Sequence, residues 1–199
     1  MFARHLAVFC LIFAGLSPAR AQYSGSLDPE LVVYLGTGNG QSAATLKYMR
    51  QELTSLMHQA GYRLVLRDLH DRDNADGETL VIVELNGSCA MPAGFPPASD
   101  TAPRSKSLAT TAITDGRVLP FSAVECAALT RLLQPALMKQ PGAQRDFLYG
   151  RALARVIAHE LHHGVARTPC HAHFGIAKRA FSPADLLGES LPPSQFPAP

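Results

Sequence analysis

From Glu30 onward the apolar residues keep a readable rhythm. "ELVVYLG" (30–36) is a β-branched run that stops at glycine-rich "GTGNG", which predicts a strand and a turn. Between Ala43 and Ala60, Leu46, Met49, Leu53, Leu56 and Met57 recur at helical spacing, and Gly61 is placed to end that helix. "YRLVLRDL" (62–69) alternates into a second strand, and "ETLVIVEL" (78–85) forms a third beyond the polar turn "DRDNADG". The opening order is therefore β-α-β-β.

Proline, glycine and serine crowd Met91 to Lys106, which reads as a surface loop. "LATTAITDGRVLPF" follows as a hairpin about Asp115-Gly116, and a helix is expected from about Ser122 to Met138, kinked or shortened by Pro135. A proline-free run then extends to about Ala166, with Phe147, Leu153, Ala154, Ile157 and Leu161 on one helical face. The pattern predicts an α+β domain: a small mixed sheet, an early helix across it and one long helix beneath.

Two motif look-alikes fall away on their spacing. Gly36, Gly38 and Gly40 make G-x-G-x-G, one residue short of a dinucleotide-binding loop. Aligning Gly77 with the invariant glycine of a calcium loop puts Val83 where its last carboxylate belongs.

The N-terminus breaks the rhythm. Arg4, an apolar run from Leu6 to Leu16 and Ala19-Arg20-Ala21 form a signal-peptide pattern, too short for a comfortable membrane span. The expected organisation is a signal peptide over 1–21, a folded domain over 22–188 and a proline-rich tail over 189–199, disordered or extended. No propeptide is expected between Gln22 and the first strand. The chain has eighteen Lys and Arg against sixteen Asp and Glu; loss of Arg4 and Arg20 with the signal leaves sixteen of each. A balanced surface gives no reason to expect nucleic acid or an anionic membrane as a partner, and the expected product is a monomer, secreted or periplasmic.

Export also changes what the cysteines mean. Cys10 leaves with the signal, and Cys89, Cys126 and Cys170 remain in an oxidising compartment. Cys89 follows a strand-like run and Cys126 opens a helix-like one, which makes them the favoured disulfide pair. Cys170 is then the spare thiol, expected to be free and buried.

Five of the eight histidines lie in "HELHHGVARTPCHAHF". His159-Glu160-Leu161-His162-His163 is H-E-x-x-H. Residues four apart share a helical face, so His159 and His163 can address one ion, with Glu160 beside the same opening as a general base. Two imidazoles, an open coordination position and a nearby carboxylate are the needs of a zinc hydrolase. Gly164 and Thr168-Pro169 let the chain turn back, which leaves His171, His173 and Cys170 as candidates for a third ligand. His162 points about 100° away from His163 around the helix and is read as a surface or neighbouring residue.

The segment resembles the active-site region of exported bacterial zincin-type proteins, a metzincin-like group with H-E-x-x-H, a third His eight residues on, and G-[IV]-[MA]-[KR]. The resemblance implies a zincin-like fold, zinc as cofactor, His159, His163 and His171 as ligands and Glu160 as catalytic base. Gly175-Ile176-Ala177-Lys178 then matches the turn beneath the metal, and Phe181 to Leu187 a helix start after it. "TDGRVLPFSAVEC" and the β-α-β-β start share the likeness loosely. The chain departs from the metzincin signature in three places: Ala166 stands where the glycine belongs, Pro169 where the third His belongs, and Ala177 where a methionine would sit. The implied function is exported, zinc-dependent hydrolysis of a peptide or protein, with Tyr149 or Arg167 considered for the oxyanion. The alternative is a zinc-binding but non-hydrolytic secreted domain, structural or for binding.

Overall fold

A computed structural model describes residues 28–38, 40–70, 79–92 and 107–191. The signal segment, the "DRDNADG" turn, most of the loop before Ser107 and the tail beyond Leu191 lie outside the described residues. The elements in chain order are β1 (Glu30–Thr37), α1 (Ala43–Gln59), β2 (Arg63–Asp68), β3 (Thr79–Asn86), β4 (Ala109–Thr114), β5 (Arg117–Glu125), α2 (Cys126–Leu137), α3 (Gly142–Ala166) and α4 (Pro183–Leu187). The five strands form one mixed sheet in the order β2-β1-β3-β5-β4, parallel except for the antiparallel β4–β5 hairpin at the edge.

Local chemistry explains the boundaries. Ser42 caps α1 by accepting from the Thr45 amide, and Gly61 at φ 82° ends it, with Gly61 N–H bonded to His58 O and Tyr62 N–H to Met57 O. That pair of bonds satisfies the last carbonyls of the helix and needs a left-handed residue, which glycine supplies cheaply. Asp115 and Gly116 both have positive φ, the requirement of the tight turn joining β4 to β5.

The helix expected from Ser122 starts later, at Cys126. Ser122 to Glu125 continue β5, paired with β3 through Val83↔Ser122 to Asn86↔Glu125, and with β4 through Ala109↔Val124 and Thr111↔Ser122. Ladder bonds on both sides of these residues override a sequence that tolerates a helix. The β4–β5 register also slips between Thr111 and Ile113, where β5 carries Leu119-Pro120-Phe121. Pro120 has no N–H to give the ladder, and an irregularity at the rim re-aims the residues beyond it. Farther on, α2 runs through Pro135 and stops two residues later.

Leu31, Val33 and Leu35 of β1 and Val81, Val83 and Leu85 of β3 share one core with Met49, Leu53 and Met57 of α1 and Leu153, Ile157 and Leu161 of α3. Helices α1 and α3 pack against each other, α1 beside β2 and α3 across β5 and β4. At the crossing, a Cβ on Gly150 would lie 2.7 Å from Thr45 O and 2.9 Å from Met49 N, so only glycine permits this approach. The single apolar face expected for α3 understates its burial: every residue from Ala152 to His163 is buried. The expected Cys89–Cys126 disulfide is present and ties the segment after β3 to the first residue of α2, with Cα atoms 4.8 Å apart. No described helix is long and apolar enough to cross a membrane.

Candidate metal centre

The last buried turns of α3 change from apolar to polar. His159, Glu160 and His163 are 8%, 4% and 6% exposed, so water can satisfy little of what they present. Gly164 does not stop the helix. It sits inside α3 near Val81, and the stop comes at Arg167, which takes the left-handed conformation at φ 48°. The chain then doubles back, and its main chain meets the histidines.

His159 Nδ1 lies 2.7 Å from Ile176 O, and His163 Nδ1 2.7 Å from Thr168 O. A carbonyl oxygen only accepts, so each Nδ1 carries the proton and donates, and each Nε2 keeps its lone pair. The two Nε2 atoms stand 3.2 Å apart. Burial pulls the His159 pKa down to about 4, only partly offset by the Ile176 carbonyl, so the ring is neutral at pH 7. The two Nε2 atoms thus face one point between them. Nitrogens bound to a tetrahedral zinc with arms of about 2.0–2.1 Å are separated by about 3.3–3.4 Å, and the observed pair fits that spacing.

His171 supplies the third imidazole. Its ring centroid is 4.8 Å from that of His163 and 5.3 Å from that of His159, and a ligand atom from each of the three lies within 4.8 Å of the others. His171 is exposed, and its pKa is lowered by burial, by His163 and by Arg179. Neither His173 nor Cys170 belongs to this group among the described residues, and both are exposed. The expectation of a buried Cys170 is therefore corrected: the turn holding it rises off the protein after Arg167, with the Cys170 amide donating to Thr168 Oγ1. His162 is a buried neighbour of His163, their ring centroids 5.7 Å apart.

The segment behind the site is braced. Ala172 N–H bonds to Ala177 O, Gly175 turns with φ 72°, and Ile176 and Ala177 are buried. Lys178 pairs with Asp185, which also closes a capping box with Ser182 at the start of α4. The turn expected beneath the metal is thus the one whose Ile176 carbonyl orients His159.

Glu160 lines the same cavity as His159, His163 and His171, a space of about 470 Å³. Burial pushes its carboxyl pKa up, while a hydrogen bond from Thr111 and the nearby His163 pull it back. Thr111 Oγ1 donates to Glu160 Oε2 at 2.6 Å, and Ser122 Oγ lies 2.9 Å from Thr111 Oγ1. Neither hydroxyl was marked by the sequence. Alternation places Thr111 on the same face of β4 as the buried Ala109, but nothing in "LATTAIT" says which helix residue it meets.

Two residues considered for the oxyanion lie elsewhere. Tyr149 is fully buried, donates to Cys126 O at 3.2 Å and meets Thr130 Oγ1 at 2.9 Å, and burial pushes its pKa up to about 12. Arg167 ends the helix, outside the cavity lining. The guanidinium that does line the cavity belongs to Arg179.

No protein-family model, curated protein or solved structure matches the chain. Fold and site together define a mixed α/β domain with a Cys89–Cys126 disulfide, in which the central helix supplies two histidines and the turn after it a third, together able to hold a metal ion.

Proposed function

We propose that the protein is an exported, zinc-dependent peptide hydrolase with a zincin-like fold, its metal held by His159, His163 and His171 and its general base Glu160. The observation that carries the reading is the pair of Nε2 lone pairs 3.2 Å apart, both tautomers set by main-chain carbonyls, with Glu160 on the same cavity wall. A purely structural zinc site has no use for that carboxylate, and three histidines leave room for a fourth, exchangeable position. Zinc is favoured among metals because imidazole donors suit it and because it needs no redox chemistry.

Bound there, zinc supplies Lewis acidity toward a carbonyl oxygen and lowers the pKa of water. The chain supplies the rest. Glu160, its pKa raised by burial, takes the proton of the attacking water and passes it to the leaving nitrogen. Arg179 offers positive charge at the rim near His171. Leu132, Val156, Phe181, Ile113 and Val118 give the cavity apolar walls suited to an apolar side chain of the peptide. A disulfide together with a signal-like N-terminus supports a secreted or periplasmic location.

The test is cleavage of a mixed peptide library by the zinc-loaded protein, read by mass spectrometry. Glu160→Gln is expected to keep one zinc and lose about 10²- to 10⁴-fold in kcat/KM, the usual worth of a general base. Equal, negligible cleavage by both proteins with zinc fully bound would sink the hydrolase reading in favour of a zinc-binding, non-hydrolytic domain.

A further inference from the structure

The hydroxyl pair behind Glu160 has a consequence of its own. Thr111 and Ser122 face each other across the β4–β5 ladder as register partners, so their spacing is set by the sheet and not by loop geometry. Thr111 Oγ1 has one proton, and it goes to Glu160 Oε2, 2.6 Å away. The 2.9 Å contact with Ser122 then has one polarity: Ser122 donates and Thr111 accepts. Ser122 is buried, as is Glu160, so water competes poorly for either bond. The register slip in β4–β5 begins just beyond Thr111, which leaves this pair as the last rung before the irregularity; pairing resumes at Ile113↔Val118.

We infer that Thr111, anchored by Ser122, is the positioning residue of Glu160: it holds Oε2 against the sheet and leaves Oε1 as the oxygen that meets substrate and water. The inference rests on Glu160 being the working carboxylate, as proposed above. A base with two interchangeable oxygens and a free χ3 rotor spends its time in several orientations, and misplacement by about 1 Å can cost 10²-fold in rate. Here the rotor is pinned by a hydroxyl that is itself pinned. Thr111 acts through Glu160 and does not touch the reacting atoms.

Thr111→Val keeps the shape and β-branching of the side chain and removes only the donor. In the zinc-loaded full-length mature protein, kcat is expected to fall about 10- to 100-fold, the rate equivalent of one hydrogen bond to a charged group, with KM nearly unchanged and one zinc retained. Thr111→Ser is expected to restore most of the loss, and Ser122→Ala to give a smaller fall of the same kind. In a Glu160→Gln background, Thr111→Val is expected to add nothing. Crystal structures of zinc-loaded wild type and Thr111→Val give a reading independent of turnover: one Glu160 orientation in the first, several in the second. Glu160 unmoved in Thr111→Val, or kcat unchanged or raised, overturns the inference. Should the wild type cleave no peptide, the hydrolase reading fails by itself, and the two crystal structures still decide whether Thr111 positions Glu160. Should Thr111→Val not fold, the same comparison is made with Ser122→Ala.

Discussion

The two halves of the buried stretch of α3 are equally hidden from water and chemically opposite. From Gly150 to Ala158 it presents glycine, alanine, leucine, valine and isoleucine, and α1 lies so close that a single methyl group at Gly150 has no room. Of its two arginines, the fully buried one, Arg155, is neutralised by Glu52 and bonded to the Asp185 and Leu186 carbonyls. From His159 to His163 the helix buries three histidines and a glutamate. Apolar burial contributes to folding, whereas buried titratable groups cost unless something pairs with them. The first half is therefore the frame, and the second is a site held by that frame at some expense of stability.

The comparison can be broken from either side. The largest expected effect is Gly150→Val, whose added atoms meet backbone of α1 that cannot swing aside. A loss of about 4 kcal/mol or more is expected in urea unfolding, with zinc binding lost only because the fold is lost. Next is the double Cys89→Ser, Cys126→Ser variant. It opens a loop with a sequence separation of 37 residues, and a loss of about 2–4 kcal/mol is expected by the same assay.

A third effect belongs to the site half. The folded pKa of His159 is about 4 against an ordinary 6.5, so below pH 6.5 the unfolded chain takes up a proton that the folded protein refuses. Its stability contribution is fully present above pH 6.5 and is lost as the pH falls toward 4; His162 and His171 are shifted in the same direction. For His159 the loss is on the order of 3 kcal/mol, measured on metal-free protein by urea unfolding across that range. His159→Leu should flatten the dependence. Smallest is the stability effect of Glu160→Gln, expected within about 1 kcal/mol because the amide oxygen still accepts from Thr111. A loss of several kcal/mol would mean that Glu160 belongs to the frame.

The frame was more legible in the chain than the site. The periodicities of Leu31 to Leu35 and of Met49, Leu53 and Met57, and the stop at Gly61, are local signals that the sheet reinforces. Ser122 to Glu125 misled because strand pairing on both sides is a non-local fact. The burial of α3 on all sides was equally hidden, since it depends on the six elements packed around it. At the site, the i, i+4 spacing marked His159 and His163. The orienting groups are the carbonyls of Ile176 and Thr168, which leave no trace in residue identity. Cys170 looked like a core thiol by type, but the turn set by Arg167 lifts it to the surface.

The central claim is that three named histidines make one metal site, and an equilibrium zinc titration against a competing chelator tests it most directly. Wild type, His173→Ala and Cys170→Ser are expected to bind one zinc with the same affinity, while His159→Ala, His163→Ala and His171→Ala each weaken it by at least about 10²-fold. Wild type that binds no zinc, or His171→Ala that binds it as tightly as wild type, would contradict the account.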